Sequence, residues 1–254
     1  MLCYRSWLET RWRFTIGLLV QVCGGAAIVL TWRQVEALLP LASSLGATSE
    51  LGRRIQEAVE LQRTYHGYVW SQAFARSLSN LATIFAVLLG TGGLLSPSSR
   101  SARFTLSLPV TRRSLAGAWA VTGLTELLVL DLAGALTVTW LSPSVGERYA
   151  PFDAVVHALC LFFASAVFYA LACLLSSIFN DFWRPLGLSL AAAFALGAAE
   201  ALWSGTSAYG LFHLMSGASW FAQARFPWLG ITVAIAATGA LLWLAARNTE
   251  RRDF

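Results

Sequence analysis

Ionisable side chains placed inside strongly apolar runs are where this chain could do chemistry. Glu126 and Asp131 fall within the run Leu115 to Leu141, Glu200 lies toward the end of the run Leu186 to Trp203, and Asp153 and His157 stand at the start of the run Val155 to Phe179. A charge at bilayer depth costs roughly 2.5 to 3.5 kcal/mol on insertion scales, so such residues face protein or water and often mark a path for protons, cations or substrate. Glu126, about twelve residues into its run and so near mid-depth, is the sharpest candidate, with Asp131 further outward. A structural hydrogen-bonding role accounts for the same acids. Asp153 and His157 are four residues apart, which suits a proton relay or a metal. With no further His or Cys close in sequence, they read as a satisfied helix-end pair.

Much other chemistry is excluded. All eighteen basic residues are arginine. A phosphate-binding P-loop and a pyridoxal Schiff base both need lysine, so neither can reside on this chain. There is no H-E-x-x-H, no paired-glutamate motif and no G-x-S-x-G elbow, so no catalytic residue and no metal site are expected. Cys23, Cys160 and Cys173 lie inside apolar runs and, like Cys3, form no C-x-x-C pair, so they read as small packing residues.

The elements that position these groups follow from composition. Hydrophobic residues make up 57% of the 254 and charged residues 12%, about half the usual share for soluble domains. The chain reads as one membrane domain over residues 1–254, an all-α integral membrane protein with six transmembrane helices: Phe14 to Trp32, Leu78 to Leu95, Leu115 to Leu141, Val155 to Phe179, Leu186 to Trp203 and Trp228 to Ala246. Continuous rather than alternating apolar runs favour helices over a barrel. The Arg5, Arg11 and Arg13 leader resembles a signal peptide. However, the run continues to Trp32 and no small residue precedes Cys23 as lipoprotein cleavage would prefer, so it reads as a true span.

Arginine placement sets a topology. About eleven arginines fall at the N-terminus, in the loop 96–114, in the turn with Asp181 and Arg184, and in the tail, which makes both termini cytoplasmic. The formal charge of +5 is spread over membrane-flanking loops, so orientation explains it better than nucleic acid. Residues 1–13 mix Tyr4, Trp7, Leu8 and Trp12 with Arg5, Glu9, Arg11 and Arg13, as expected of an interfacial elbow helix. The outer loop 33–77 holds a possible amphipathic helix, Thr48 to Gln62, and an aromatic piece, Tyr65 to Leu78, suited to headgroup level. Residues 205–227 are too apolar and glycine-rich for a plain loop, and their two segments are too short to span. A re-entrant helical hairpin before the last span fits both facts, and so does an unusually aromatic loop. Gly24-Gly25 and Gly90-Thr-Gly-Gly93 allow close helix approach.

Between the second and third runs lies Arg100-Ser-Ala-Arg-Phe-Thr-Leu-Ser-Leu-Pro-Val-Thr-Arg-Arg-Ser-Leu115, basic and half apolar. Its core, Phe104 to Leu115, resembles the "LLSLPVSRR" stretch of ABC-2 type transporter permeases, the transmembrane subunits of ABC exporters. The arginine-rich pre-span helix ending Arg11-Trp-Arg-Phe14, the apolar hairpin before the last span and the tail Arg251-Arg-Asp-Phe254 are also similar to that family. Where family members often carry an acidic element shortly before the loop, this chain has Ser96-Pro-Ser-Ser-Arg100.

The resemblance implies a cytoplasmic coupling helix within 96–114 that sits in a cleft of a separate ABC ATPase subunit. Phe104, Leu106, Leu108 and Val110 would fill an apolar groove, Arg103, Arg112 and Arg113 would pair with acidic rims, and Pro109 would end or bend the helix. An ordinary positive-inside loop is the plainer alternative. The resemblance further implies dimerisation with a second copy or a paralogous permease amid membrane lipids, in the bacterial inner membrane. ATP and Mg2+ would be bound by the partner ATPase and no cofactor by this chain. It also allows a structural role for a glutamate placed like Glu126. The rival is an ion-coupled secondary transporter using Glu126, Asp131 and Glu200, against which stands the lack of repeated halves.

Overall fold

Backbone amides carried into hydrocarbon have only the chain itself as a partner, and the apolar runs answer with helix. A computed structural model describes residues 2–43, 59–91, 112–179, 181–202 and 210–251, and among these there is no strand. The elements are α1 (Leu2–Ser43), α2 (Tyr65–Val69) continued by a π-helical stretch (Trp70–Leu78) into α3 (Ser79–Gly90), α4 (Arg112–Leu141) with a 3-10 turn (Ser142–Val145), α5 (Pro151–Ile178), α6 (Trp183–Leu202), α7 (Leu211–Met215), α8 (Ala218–Gln223) and α9 (Trp228–Arg251). Six helical stretches are long and apolar enough to cross a membrane: Thr10–Leu38, Tyr65–Gly90, Ala116–Val145, Pro151–Ile178, Trp183–Leu202 and Trp228–Glu250. The protein is an all-helical, multi-pass membrane architecture.

Contacts sort the helix ends into two groups. At one end Arg13 reaches Thr91 and Asn248 reaches Ser177. At the other, Tyr65 meets Ser142 and Trp220 meets Asp153. The first group holds the outer ends of α1 and α9, together with Thr91 and Arg112, which flank the basic segment; we call it the terminal end. The second holds α7 and α8, and we call it the hairpin end.

α5 is the centre of the bundle, packed against α3, α4, α6, α7 and α9. Small residues let the neighbours in. A Cβ on Gly90 would stand 2.6 Å from the Tyr169 carbonyl oxygen and 2.7 Å from Ala172 Cβ, so span 2 meets the backbone of α5 with no side chain between. α1 and α4 lie side by side in the same way, with the position of a Gly25 Cβ 3.0 Å from the Gly134 carbonyl oxygen. Conversely, α1, α6 and α9 turn large apolar side chains outward, among them Ile16, Leu19, Phe194, Leu202, Leu229 and Val233.

The structure redraws several boundaries. Residues 2–13 are helical but are not set off as an elbow. α1 runs unbroken for 42 residues because no glycine or proline interrupts Leu8 to Phe14. The outer loop over 33–77 is much shorter than expected, since α1 continues to Ser43 and the second span begins at Tyr65 rather than Leu78. Tyr65 to Leu78 escaped an apolarity reading because it carries Ser71, Gln72, Arg76 and Ser77. It crosses as helix because its Tyr65, Tyr68, Val69, Ala73 and Phe74 face are buried against protein. Of the expected Thr48 to Gln62 helix, residues 59–62 are helical and 48–58 lie outside the described residues.

Replacing Gly90 with valine should force span 2 off α5 and cost about 1 to 3 kcal/mol. Gly239 has open space around it, and alanine there should leave stability unchanged or raise it. Thermal unfolding in detergent by intrinsic fluorescence measures both; an unshifted midpoint for Gly90→Val would contradict the close approach.

Candidate functional site

The three membrane-embedded acids do not converge. Glu126 and Asp131 are five residues apart on α4, an angular step that sends their side chains to different neighbours. Glu126, 4% exposed, accepts a hydrogen bond of 2.5 Å from Thr10 Oγ1 on α1. Asp131, 1% exposed, accepts one of 3.3 Å from Ser165 Oγ on α5. Glu126 is level with Thr10, near the start of α1, so along the bundle it stands nearer the terminal end than Asp131 does. The expectation shifts because α4 starts at Arg112 and meets α1 near that helix's own beginning. Asp131 is the acid at half-height, opposite the middle of α5. Glu126 Oε2, Asp131 Oδ1 and both amide atoms of the buried Gln21 have no hydrogen-bond partner among the described residues. Gln21 lies on α1 beside Gly134, one turn along α4 from Asp131.

Glu200 has a different task. Near the end of α6 it turns its carboxylate onto the start of α7, where Oε1 accepts from the Leu211 amide at 2.6 Å and Oε2 from the Phe212 amide at 3.0 Å. A helix opening inside the bundle has amides with no intrahelical partner, and a carboxylate satisfies them while matching the helix dipole. Gly210 is required beside it, since a Cβ there would collide with the Glu200 carboxylate. Glu200 is therefore the cap of the hairpin's first arm.

The hairpin over 205–227 is a helix–turn–helix in its described part, residues 210–227: α7, a turn at Ser216-Gly217, then α8. Gly217 is the one residue that fits the turn. Its φ is +64°, and a side chain would run into the His157 ring. Trp70 Nε1 donates to the Ser216 carbonyl at 2.9 Å, and Trp220 Nε1 donates to Asp153 Oδ1 at 3.1 Å. Stacked rings brace the same region: Trp70 on Phe221 at 4.4 Å, His66 on Tyr149 at 4.8 Å, and Phe74 on His157 at 4.5 Å. Phe221 also stacks on His66 at 5.6 Å, and Tyr149 on Phe74 at 5.9 Å, so six rings form one continuous rack. Tyr149 lies between the spans; burial first, and then the nearby Asp153, push its phenol well above the usual tyrosine range.

Asp153 and His157 are not the satisfied pair that their spacing suggests. Asp153 is bonded to Trp220, whereas the His157 ring, wholly buried under the turn, has neither nitrogen hydrogen-bonded among the described residues. Sequence could not show this, because the competing donor is 67 residues away. No three His, Cys, Asp or Glu side chains gather as metal ligands among the described residues.

Of the segment singled out for partner contact, Arg103, Phe104, Leu106, Leu108, Pro109 and Val110 lie outside the described residues; Arg112 and Arg113 form the first turn of α4. A contact the sequence reading missed stands beside it. Arg13 Nη1 donates to the carbonyls of Leu88 at 2.9 Å and Thr91 at 2.6 Å, and its guanidinium lies 5.0 Å from the centre of the Phe182 ring. Its signal, an arginine beside Phe14 at the edge of an apolar run, is the same one that marks interfacial orientation. Comparison with protein-family models, curated proteins and solved structures finds no match to this chain.

Glu200→Ala should uncap α7 and cost about 1 to 3 kcal/mol. Glu200→Gln, which keeps one acceptor, should cost less. Loss of amide-exchange protection confined to Leu211 and Phe212 would report the local effect, and unchanged protection in Glu200→Ala would refute the cap.

Proposed function

We propose that this chain is the membrane-spanning permease subunit of an ATP-driven exporter of the ABC-2 type, working as a dimer with ATPase subunits on separate chains. The observation that carries the reading is positional. The described residues that flank the arginine-bracketed stretch Arg103 to Arg113, Thr91 after span 2 and Arg112 at the start of α4, lie at the bundle end where α1 begins and α9 finishes. That is where one docking face for a cytoplasmic ATPase would have to be. It matches the excess of arginine in the segments at that end, which favours a cytoplasmic side in a bacterial inner membrane.

Two further features support it. The outward apolar faces of α1, α6 and α9 leave room for a second copy or a paralogue alongside lipid. The helical hairpin before the last span, braced by Glu200, Trp70 and Trp220, suits a re-entrant element at the outer mouth. In this reading ATP and Mg2+ belong to the partner. Glu126, Asp131 and Glu200 hold the protomer together, because each is directed into its own bundle and away from a path between copies. Cargo walls built of Leu, Ala, Phe and Trp suit an amphipathic or hydrophobic substrate.

A second reading, ion-coupled transport, draws on the oxygen that Glu126 and Asp131 each leave unpaired in the bundle interior. Energy source separates the two. Vesicles holding the chain and its ATPase should transport with ATP and without an ion gradient. Phe104→Ala combined with Arg112→Ala should lower transport at least tenfold while membrane insertion and basal ATP hydrolysis persist. Gradient-driven transport by the chain alone would establish the second reading, and unchanged coupling in the double variant would remove the docking role of the segment.

A further inference from the structure

The terminal end of α1 makes two ties that no motif announces. Arg13 donates to the carbonyls of Leu88 and Thr91, the last turn of span 2 and the final described residues before the basic segment. Thr10, three residues earlier and so on a neighbouring part of the same helix face, donates to Glu126 on α4, the helix into which the basic segment leads. A single turn of α1 therefore grips both spans between which that segment is strung. The Arg13 guanidinium also lies over Phe182, in the turn between α5 and α6, adding a third element at the same level.

The chemistry of these ties suits transmission. Carbonyls in the last turn of a helix can accept from outside it, and one Arg13 nitrogen, Nη1, donates to two of them, which ties α1 to the end of span 2. The Thr10 to Glu126 bond is short and buried, where loss of one partner is costly. α1 packs lengthwise on α4 and gives Val29 and Trp32 to the core that α5 shares, while its remaining face is turned outward, so a pull at its terminal end is carried along the whole α1–α4 pair.

We infer that Thr10 and Arg13 form a yoke that passes displacement of the basic segment to α1, with Glu126 as the anchor on α4. This rests on the exporter reading for the source of the displacement. Arg13, Thr10 and Glu126 are then positioning residues, and Glu126 is assigned to force transmission and not to substrate contact.

The test uses the full chain in lipid nanodiscs with its ATPase subunit, one spin label per protomer on Ile16→Cys, and the four native cysteines replaced by alanine. Ile16 faces outward on α1, one turn from the yoke. The distance between labels across the dimer should shift when the ATPase is trapped with ATP and vanadate. Thr10→Val and Arg13→Gln should each reduce that shift by half or more while the ATPase still co-purifies and still hydrolyses ATP; Arg13→Lys, retaining a donor, should keep it. A merely structural role would lower thermal stability and leave the shift intact, and that result overturns the yoke alone. If Arg13→Gln does not fold, Thr10→Val, which removes one hydroxyl, carries the test. Absence of ATPase binding or of any dimer distance in the unsubstituted chain would instead overturn the exporter reading, and the yoke with it.

Discussion

A polar group drawn into an apolar bundle is costly without a partner in the protein, and the bonds that meet that cost shape this molecule more than any single apolar contact. Glu200 caps α7, Trp70 and Trp220 hold the hairpin, Thr10 meets Glu126, Ser165 meets Asp131, and Arg13 takes the last carbonyls of span 2. Apart from the Glu200 cap, whose partners follow 11 and 12 residues on, each bond joins residues at least 34 positions apart. In lipid the apolar surface of one helix gains little by exchanging lipid for another helix, so such directional bonds, together with close backbone approach, decide which helices are neighbours.

Close approach is the complementary half of the same logic. Gly90 lets span 2 lie against the α5 backbone, and Gly25 lets α1 meet α4 at Gly134. The ring rack from Trp70 through Phe221, His66, Tyr149 and Phe74 to His157 does at the hairpin end what the glycines do in the centre. It fills the space between elements with flat surfaces that admit little movement. The two ends thus differ in kind. The hairpin end is braced by stacked rings and a capped helix, whereas the terminal end joins polar ties from Thr10, Arg13 and Asn248 to apolar packing among Leu89, Phe168 and Cys173.

Under the proposed exporter reading, the terminal end is the one that would receive force. An arginine bound to two carbonyls can follow a moving helix end, while a stacked rack resists displacement. Glu126 and Glu200, similar as intramembrane glutamates, have different partners: a threonine hydroxyl of α1 for one, the first amides of α7 for the other.

Much of the architecture was legible because the bilayer imposes a length and an apolarity on any span facing lipid. Phe14 to Trp32, Leu186 to Trp203 and Trp228 to Ala246 were found near their observed places, all of them in helices that face outward. Around Ser216-Gly217 the sequence left a hairpin and an aromatic loop both open, since two short apolar pieces suit either, and the helix–turn–helix there came from the structure. Span 2 was placed half a helix late because its first half is buried in protein, where Ser71, Gln72 and Ser77 are tolerated and an apolar count loses its meaning. Sequence alone thus fixed the number and class of the helices, through the thickness of the membrane. The partners of the acids, the level of Glu126 along the bundle, the stacking of His157 on Phe74 and the grip of Arg13 on Thr91 were decided only by tertiary structure, because each depends on which helix lies alongside, and spacing along one chain carries no information about that.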